Sequence, residues 1–295
     1  MPAPWVDPTI DWQPTLSIER QLADLRSTGD LLVTWPATEF EQTDTDCFKA
    51  GDDLWIWQPD VGAVRFRLDT PHLTAWCWPG ANPAWFRQVV TRSWLPAIYP
   101  LWGRQVIHAS AVQCRATEVC VAFTGPTHAG KSTTAYALQR RSGWRALADD
   151  TVAFSIAGPL PALHPIPNEA RLRPASAAFF EVDQPPAEVP WPGGNPVLAA
   201  IYVLEGDPTL SRPAEFAPLR ASEALPLLLQ QAYALSFKIP KYNQQLMKDY
   251  LALAAAVPVF HLRYRRSFDV ADELFSAIEG HLAEAAGVTC PGDRS

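Results

Sequence analysis

The chain has 295 residues, 48% of them hydrophobic and 19% charged, and a formal net charge of −7. That is a globular composition, long enough for one large or two small domains. Its acidic balance argues against general nucleic-acid binding, which needs a basic footprint, though local basic patches stay open.

Residues 1–14 are Pro-rich and read as an irregular arm. The start, Met1-Pro2-Ala3-Pro4-Trp5, lacks the basic-then-apolar order of a signal peptide. No uncharged apolar run reaches the roughly 18 residues of a membrane span. A cytoplasmic chain with no membrane attachment is the expectation. Five cysteines (Cys47, Cys77, Cys114, Cys120, Cys290) form no C-x-x-C pair and read as small buried hydrophobes in a reducing compartment.

Ile18 to Leu25 has the pattern of a short helix. From about residue 30 to 78 the pattern is strand-like: Leu31 to Trp35, Asp53 to Trp57 and Ala63 to Leu68, separated by turn residues at Gly51-Asp52 and Pro59 to Gly62. Nine of the twelve tryptophans precede residue 100. They admit two readings, a platform for carbohydrate or Pro-rich peptide, or anchors of a small β-rich core. The second is favoured because aromatic side chains dominate core area. Pro83 to Leu101 reads as a helix, and a domain boundary is set near residue 100.

Beyond it, Val106 to Val112 and Val119 to Phe123 read as strands, and a helix runs to about Arg141 before Gly143 stops it. Arg145 to Asp150 and Thr151 to Ile156 follow as strands, 183–196 as a Pro- and Gly-rich loop, and Val197 to Leu204 as a strand. Ser222 to Ala234 and Leu246 to Ala256 read as helices, Val259 to Tyr264 as a strand, and Ala271 to Ala285 as a closing helix.

The chemistry concentrates in Gly125-Pro126-Thr127-His128-Ala129-Gly130-Lys131-Ser132, a complete G-x-x-x-x-G-K-S sequence between a predicted strand and a predicted helix. In that context the backbone N–H groups of the loop converge on an anion, Lys131 reaches the outer phosphates, and the Ser132 hydroxyl ligates Mg²⁺. A Gly-rich turn without a ligand is the alternative. Asp149 lies 18 residues after Lys131, with Asp150 next to it, at the carboxyl end of the following strand. Ligands of open α/β sheets sit at that edge, and phosphoryl transfer needs carboxylates for the metal and for the acceptor's proton. A solvated acidic turn is the competing reading. His108, about 20 residues before the loop, taken alone reads as a satisfied core histidine.

Taken together, His108-Ala109-Ser110-Ala111-Val112, Gly125 to Thr133, and Leu147-Ala148-Asp149-Asp150 resemble the catalytic core of HPr kinase/phosphorylase and its relatives. Among those relatives are HPr-kinase-like enzymes encoded with lasso-peptide biosynthesis. The resemblance is specific over roughly residues 104–156 and looser through His164 to Arg173. It implies an α/β fold with a P-loop-containing HPr kinase/PEP-carboxykinase-like core over residues 101–295, beside a small β-rich domain over 1–100. The implied activity is ATP-dependent transfer to a serine or threonine hydroxyl of a peptide or protein, with ATP and Mg²⁺ as cofactors and a lasso-peptide precursor as one candidate acceptor. It also implies that Asp150 accepts the hydroxyl proton and Asp149 supports phosphate and metal together with Ser132. His108 would stand beside the transferring group, and Arg171 or Arg173 would supply positive charge. Residues 125–133, Thr133 included, would hold the nucleotide. A homo-oligomer is compatible with it.

Two departures stand out. His128 is unusual inside the loop, and the glutamate signature of HPr kinase is absent around Glu169, which leaves HPr itself unsupported as acceptor. Two alternatives stay open: a small-molecule kinase of the same fold, and a nucleotide-binding regulator without transfer activity. Two basic segments are candidates for gripping an acidic ligand: Phe237 to Gln245, read as a loop with Lys238 and Lys241, and Arg263, Arg265 and Arg266 around Tyr264. Solvated surface is the plainer meaning of both.

Overall fold

A computed structural model of the chain describes residues 9–13, 18–37, 43–141, 143–164, 166, 172–182, 196–235 and 238–285. The chain divides into two units, Met1–Gly103 with Ala234–Asn243, and Arg104–Tyr233 with Gln244–Ser295.

The first unit carries β1 (Thr9–Gln13), α1 (Ile18–Thr28), β2 (Asp30–Trp35), β3 (Thr45–Ala50), β4 (Asp53–Gln58), β5 (Gly62–Phe66), β6 (His72–Cys77), α2 (Pro83–Val89) and α3 (Leu95–Ile98). β2 to β6 form an antiparallel meander, and β1 adds to β6 in parallel, giving the order β1-β6-β5-β4-β3-β2. Four of the tryptophans are core anchors here: Trp55, Trp76, Trp78 and Trp94 are all at least nine-tenths buried, while Trp12, Trp35, Trp57 and Trp85 are partly buried. Trp55 stacks on Trp76 at 5.6 Å, and the Arg65 guanidinium lies over both rings. The helix beginning at Pro83 starts where Asn82 accepts hydrogen bonds from the N–H groups of Ala84 and Trp85, the usual cap ahead of a proline at the first helical position.

The second unit carries β7 (Gln105–Ile107), β8 (Ala109–Cys114), β9 (Cys120–Thr124), α4 (Lys131–Gln139), β10 (Trp144–Ala148), β11 (Val152–Ser155), β12 (Ala162–His164), α5 (Pro174–Phe179), β13 (Leu198–Gly206), β14 (Ala214–Leu219), α6 (Ala221–Leu229), the part of α7 (Pro240–Ala256) from Gln244 on, β15 (Val259–Tyr264) and α8 (Ala271–Ala285). A mixed six-stranded sheet has the order β10-β8-β9-β13-β15-β14, and a three-stranded sheet the order β12-β11-β7. β9, β13 and β15 run parallel, and every residue of β9 is buried. α4 and α8 pack on the larger sheet through Leu138, Leu274, Ile278 and Leu282.

Five expectations change, the first being that residues 9–13, read as part of an irregular arm, form strand β1 against β6. The single strand expected over Val106 to Val112 is broken at His108, whose N–H bonds the Gln231 carbonyl at 2.7 Å. β7 before it pairs into the small sheet and β8 after it into the large one. The segment Pro240 to Gln245 is the first part of α7 rather than a loop, because a proline fits the first helical turn. α6 ends at Leu229, short of Ala234; Pro226 inside it removes a backbone donor. Cys47 and Cys120 are free buried thiols pushed up to about 12 by burial, hence inert. The Cys77 thiol is partly buried, and burial raises it above its ordinary value. Cys114 is disulfide-bonded, contrary to the reading of the cysteines as small buried hydrophobes. The 183–195 loop, Glu169 and Arg171 lie outside the described residues. Among the described residues no helix is long and apolar enough to cross a membrane.

One buried histidine makes stability depend on pH. His164 in β12 is 4% exposed, and its Nε2 lies 2.8 Å from the Ser155 hydroxyl. Burial, helped by the Arg104 charge, pushes it down to about 4. The unfolded chain therefore takes up a proton below about pH 6.5 that the folded chain refuses until near pH 4. Its contribution is neutral above pH 6.5 and destabilising as the pH falls through that window, by up to about 3 kcal/mol. Urea unfolding of wild type and His164→Gln at pH 7 and pH 4.5 checks it. The variant should lose less stability on acidification, and equal losses would refute the assignment.

Candidate active site

Strand directions decide which residues meet. β8 runs antiparallel to both β9 and β10, so the start of β8 and the ends of β9 and β10 share one sheet edge. Ala109 pairs with Thr124, and Ala148 with Ala111. His108, the loop from Gly125, and the acids after Ala148 thus converge from three separate stretches of sequence. At this edge the Thr124 hydroxyl donates to the His108 carbonyl at 2.9 Å.

The loop leaves β9 and feeds α4 in a shape that needs its glycines. Gly125 has φ +138° and Gly130 φ +85°, and His128 also lies in the left-handed region at +71°. A Cβ on Gly125 would meet the Leu204 carbonyl oxygen at 2.8 Å, and one on Gly130 the Tyr264 hydroxyl at 2.6 Å. That hydroxyl donates to the Ala129 carbonyl at 3.0 Å, so β13 and β15 hold the loop from beneath. Pro126, Thr127 and His128 are exposed, while Gly125 and Ala129 are buried. Lys131 is 7% exposed and donates from Nζ to the carbonyls of Gly125 at 2.9 Å and Pro126 at 3.2 Å. Ser132 follows at the helix start, partly buried. The Thr133 and Ser176 hydroxyls lie 2.8 Å apart, tying α4 to α5.

The two acids occupy different surroundings. Asp149 is 6% exposed and accepts from the buried Ser110 hydroxyl at 2.6 Å. Asp150 is half-exposed, and its Oδ1 lies 3.3 Å from His108 Nδ1. Its backbone has φ +69°, a left-handed conformation that concentrates at functional sites when a non-glycine residue holds it. Burial holds His108 below its ordinary value. The Lys131 ammonium pushes the same way, and Asp150 pulls against them. The ring is therefore neutral near pH 7, so its 3.3 Å approach to the Asp150 carboxylate is not an ion pair there. Lys131 is also held below its usual range, mainly by burial and slightly by Arg173, with Asp150 and Asp149 opposing. These mutual fields place Lys131, His108, both acids and the exposed Arg173 in one electrostatic neighbourhood.

Three neighbours are given no role from the sequence. Ser110 fixes Asp149. The Tyr233 ring lies 6.4 Å from His108, and its hydroxyl is pushed up by burial and by Asp150. Tyr264 supports the loop across a separation of 135 residues. Two residues of the basic segments flagged as ligand grips have other partners. Arg263 pairs with Asp207 at 2.6 Å and Glu215 at 2.9 Å, and Lys238 donates to the Leu31 carbonyl at 3.2 Å. Among the described residues no group of three His, Cys, Asp or Glu side chains forms an all-protein metal site.

No protein-family model matches the sequence, and no curated protein matches it. Among solved structures, the HPr(Ser) kinase/phosphatase from Coxiella burnetii is similar to this mixed α/β chain. It is 13% identical, with 62% of this chain and 93% of that one covered and a TM-score of 0.35.

Proposed function

We propose that this chain is an ATP-dependent kinase that transfers the γ-phosphoryl group to a serine or threonine hydroxyl of a peptide or protein. The observation that carries this reading is the meeting of Lys131, His108 and Asp150 at the sheet edge where the G-x-x-x-x-G-K-S loop opens α4. The backbone N–H groups of the loop and the start of α4 would hold the phosphates. Lys131 would exchange its two loop carbonyls for the outer phosphate oxygens. Asp150 would take the acceptor's proton as the hydroxyl oxygen bonds to the γ-phosphorus and the bond to the ADP oxygen breaks. His108 orients the Asp150 carboxylate, and Arg173 adds positive charge from the rim. Asp149 and Ser132 offer the hard oxygen donors that suit Mg²⁺. When bound with ATP, that ion neutralises charge on the phosphates.

The half-exposed setting of Asp150 favours an extended acceptor over an enclosed small molecule, and a lasso-peptide precursor fits that description. The test is incubation of the chain with ATP, Mg²⁺ and a panel of serine-containing peptides, read by mass spectrometry beside Lys131→Ala. Wild type should add one phosphoryl group to a peptide serine or threonine, and Lys131→Ala should add none. ATP bound without any phosphopeptide formed would refute the peptide-kinase reading.

A further inference from the structure

Tyr233 stands against His108 from a distant stretch of the chain, and the proposed transfer gives it no part. Beyond α6 the chain runs alongside β7 as a short antiparallel rung. The His108 N–H donates to the Gln231 carbonyl at 2.7 Å, Ile107 bridges to Ala232, and the Tyr233 N–H donates to the Val106 carbonyl at 2.9 Å. Side chains alternate along such a ladder, so His108 and Tyr233 project from one face, Ile107 and Ala232 from the other. On that face the two are diagonal neighbours, a separation that an aromatic ring spans. Their ring centroids lie 6.4 Å apart with a tilt of 55°, inside the range of aromatic contact.

The mounting is firm. The Val106 carbonyl that receives Tyr233 also accepts from the Tyr250 hydroxyl at 2.7 Å. Tyr250 is fully buried and meets Phe154 of β11 edge-on at 5.4 Å. The charged groups whose fields reach His108 are Asp150 and Asp149 after β10 and Lys131 at the start of α4. Tyr233 faces the same imidazole with an uncharged ring. The His108 side chain is 28% exposed, and burial is the largest cause that holds it below its ordinary value. Removing the ring would open the imidazole to water and free it to turn. A hydrated imidazole protonates more readily, and an imidazolium beside a carboxylate makes it a poorer proton acceptor.

We propose that Tyr233 is a positioning residue whose ring holds the His108 imidazole beside Asp150 and shields it from water. This rests on the kinase reading above and adds the group that keeps the partner of its proton acceptor in place. The ring face carries the role, and the hydroxyl is secondary to it.

The test compares wild type, Tyr233→Leu and Tyr233→Phe by ATP titration, phosphopeptide formation and NMR titration of the His108 ring. Tyr233→Leu should bind ATP as wild type does and protonate His108 at a higher pH. Its transfer should be at least about tenfold slower, the scale of a misplaced catalytic group. Tyr233→Phe should restore the wild-type His108 titration and most of the rate. An unmoved His108 titration in Tyr233→Leu overturns the proposal. So does a Tyr233→Phe as slow as Tyr233→Leu, which gives the role to the hydroxyl. In wild type, with nothing substituted, the Tyr233 and His108 ring protons should show a nuclear Overhauser contact, and its absence overturns the proposal whatever the variants do. Wild type that forms no phosphopeptide overturns the kinase reading, while the ring contact and the His108 titration still judge Tyr233 by themselves.

Discussion

Replacing Asp150 with Asn should leave ATP binding in place and slow phosphoryl transfer by about 100- to 10,000-fold, the usual range for losing a positioned general base. Asparagine keeps the shape, retains an oxygen facing His108, and tolerates the left-handed backbone at φ +69°. What it loses is the capacity to take a proton. Phosphopeptide yield over time, measured beside nucleotide titration, separates the two effects. Transfer at the wild-type rate would remove Asp150 from the base role. Asp150→Gly is the companion. Relief of the left-handed cost, about 1 kcal/mol, offsets glycine's extra chain entropy of similar size. That variant should be equally inactive without being less stable, as thermal unfolding would record.

Gly125→Ala should abolish nucleotide binding outright. The new Cβ would face the Leu204 carbonyl oxygen at 2.8 Å, on a central strand of the large sheet, at a φ of +138° that side chains rarely adopt. Neither the oxygen nor the strand can retreat, so the loop must leave its course, and the converging N–H groups go with it. Gly130→Ala is milder. Its Cβ meets a side-chain hydroxyl, Tyr264, rather than backbone. Tyr264→Phe in the same chain should therefore recover part of the lost affinity for Gly130→Ala and none for Gly125→Ala. Equal recovery in both would show that backbone strain, not the clash, is decisive.

Local chemistry made much of this visible from sequence. The loop motif, the acids that end β10, and the elements Val259 to Tyr264 and Ala271 to Ala285 all carry short-range signals, and the structure forms both elements with those bounds. The break at His108 was invisible. Both halves of Val106 to Val112 are apolar and buried, and a change of sheet leaves no mark on periodicity. Tyr264 among three arginines looked like surface because charge dominates that stretch, whereas its neighbour Arg263 is neutralised by Asp207 and Glu215 from elsewhere in the chain. Pairings over such separations are written in tertiary contact alone. The separate fates of Asp149 and Asp150, one held by Ser110 and the other by His108, are of the same kind.

The chain changes sheets twice at one place. It passes from β7 to β8 at His108, and from β10 to β11 through Asp149, Asp150 and Thr151, with β7 and β11 laddered together. Imidazole and carboxylate therefore both stand where the chain crosses from one sheet to the other, and the β7–β11 ladder sets their spacing.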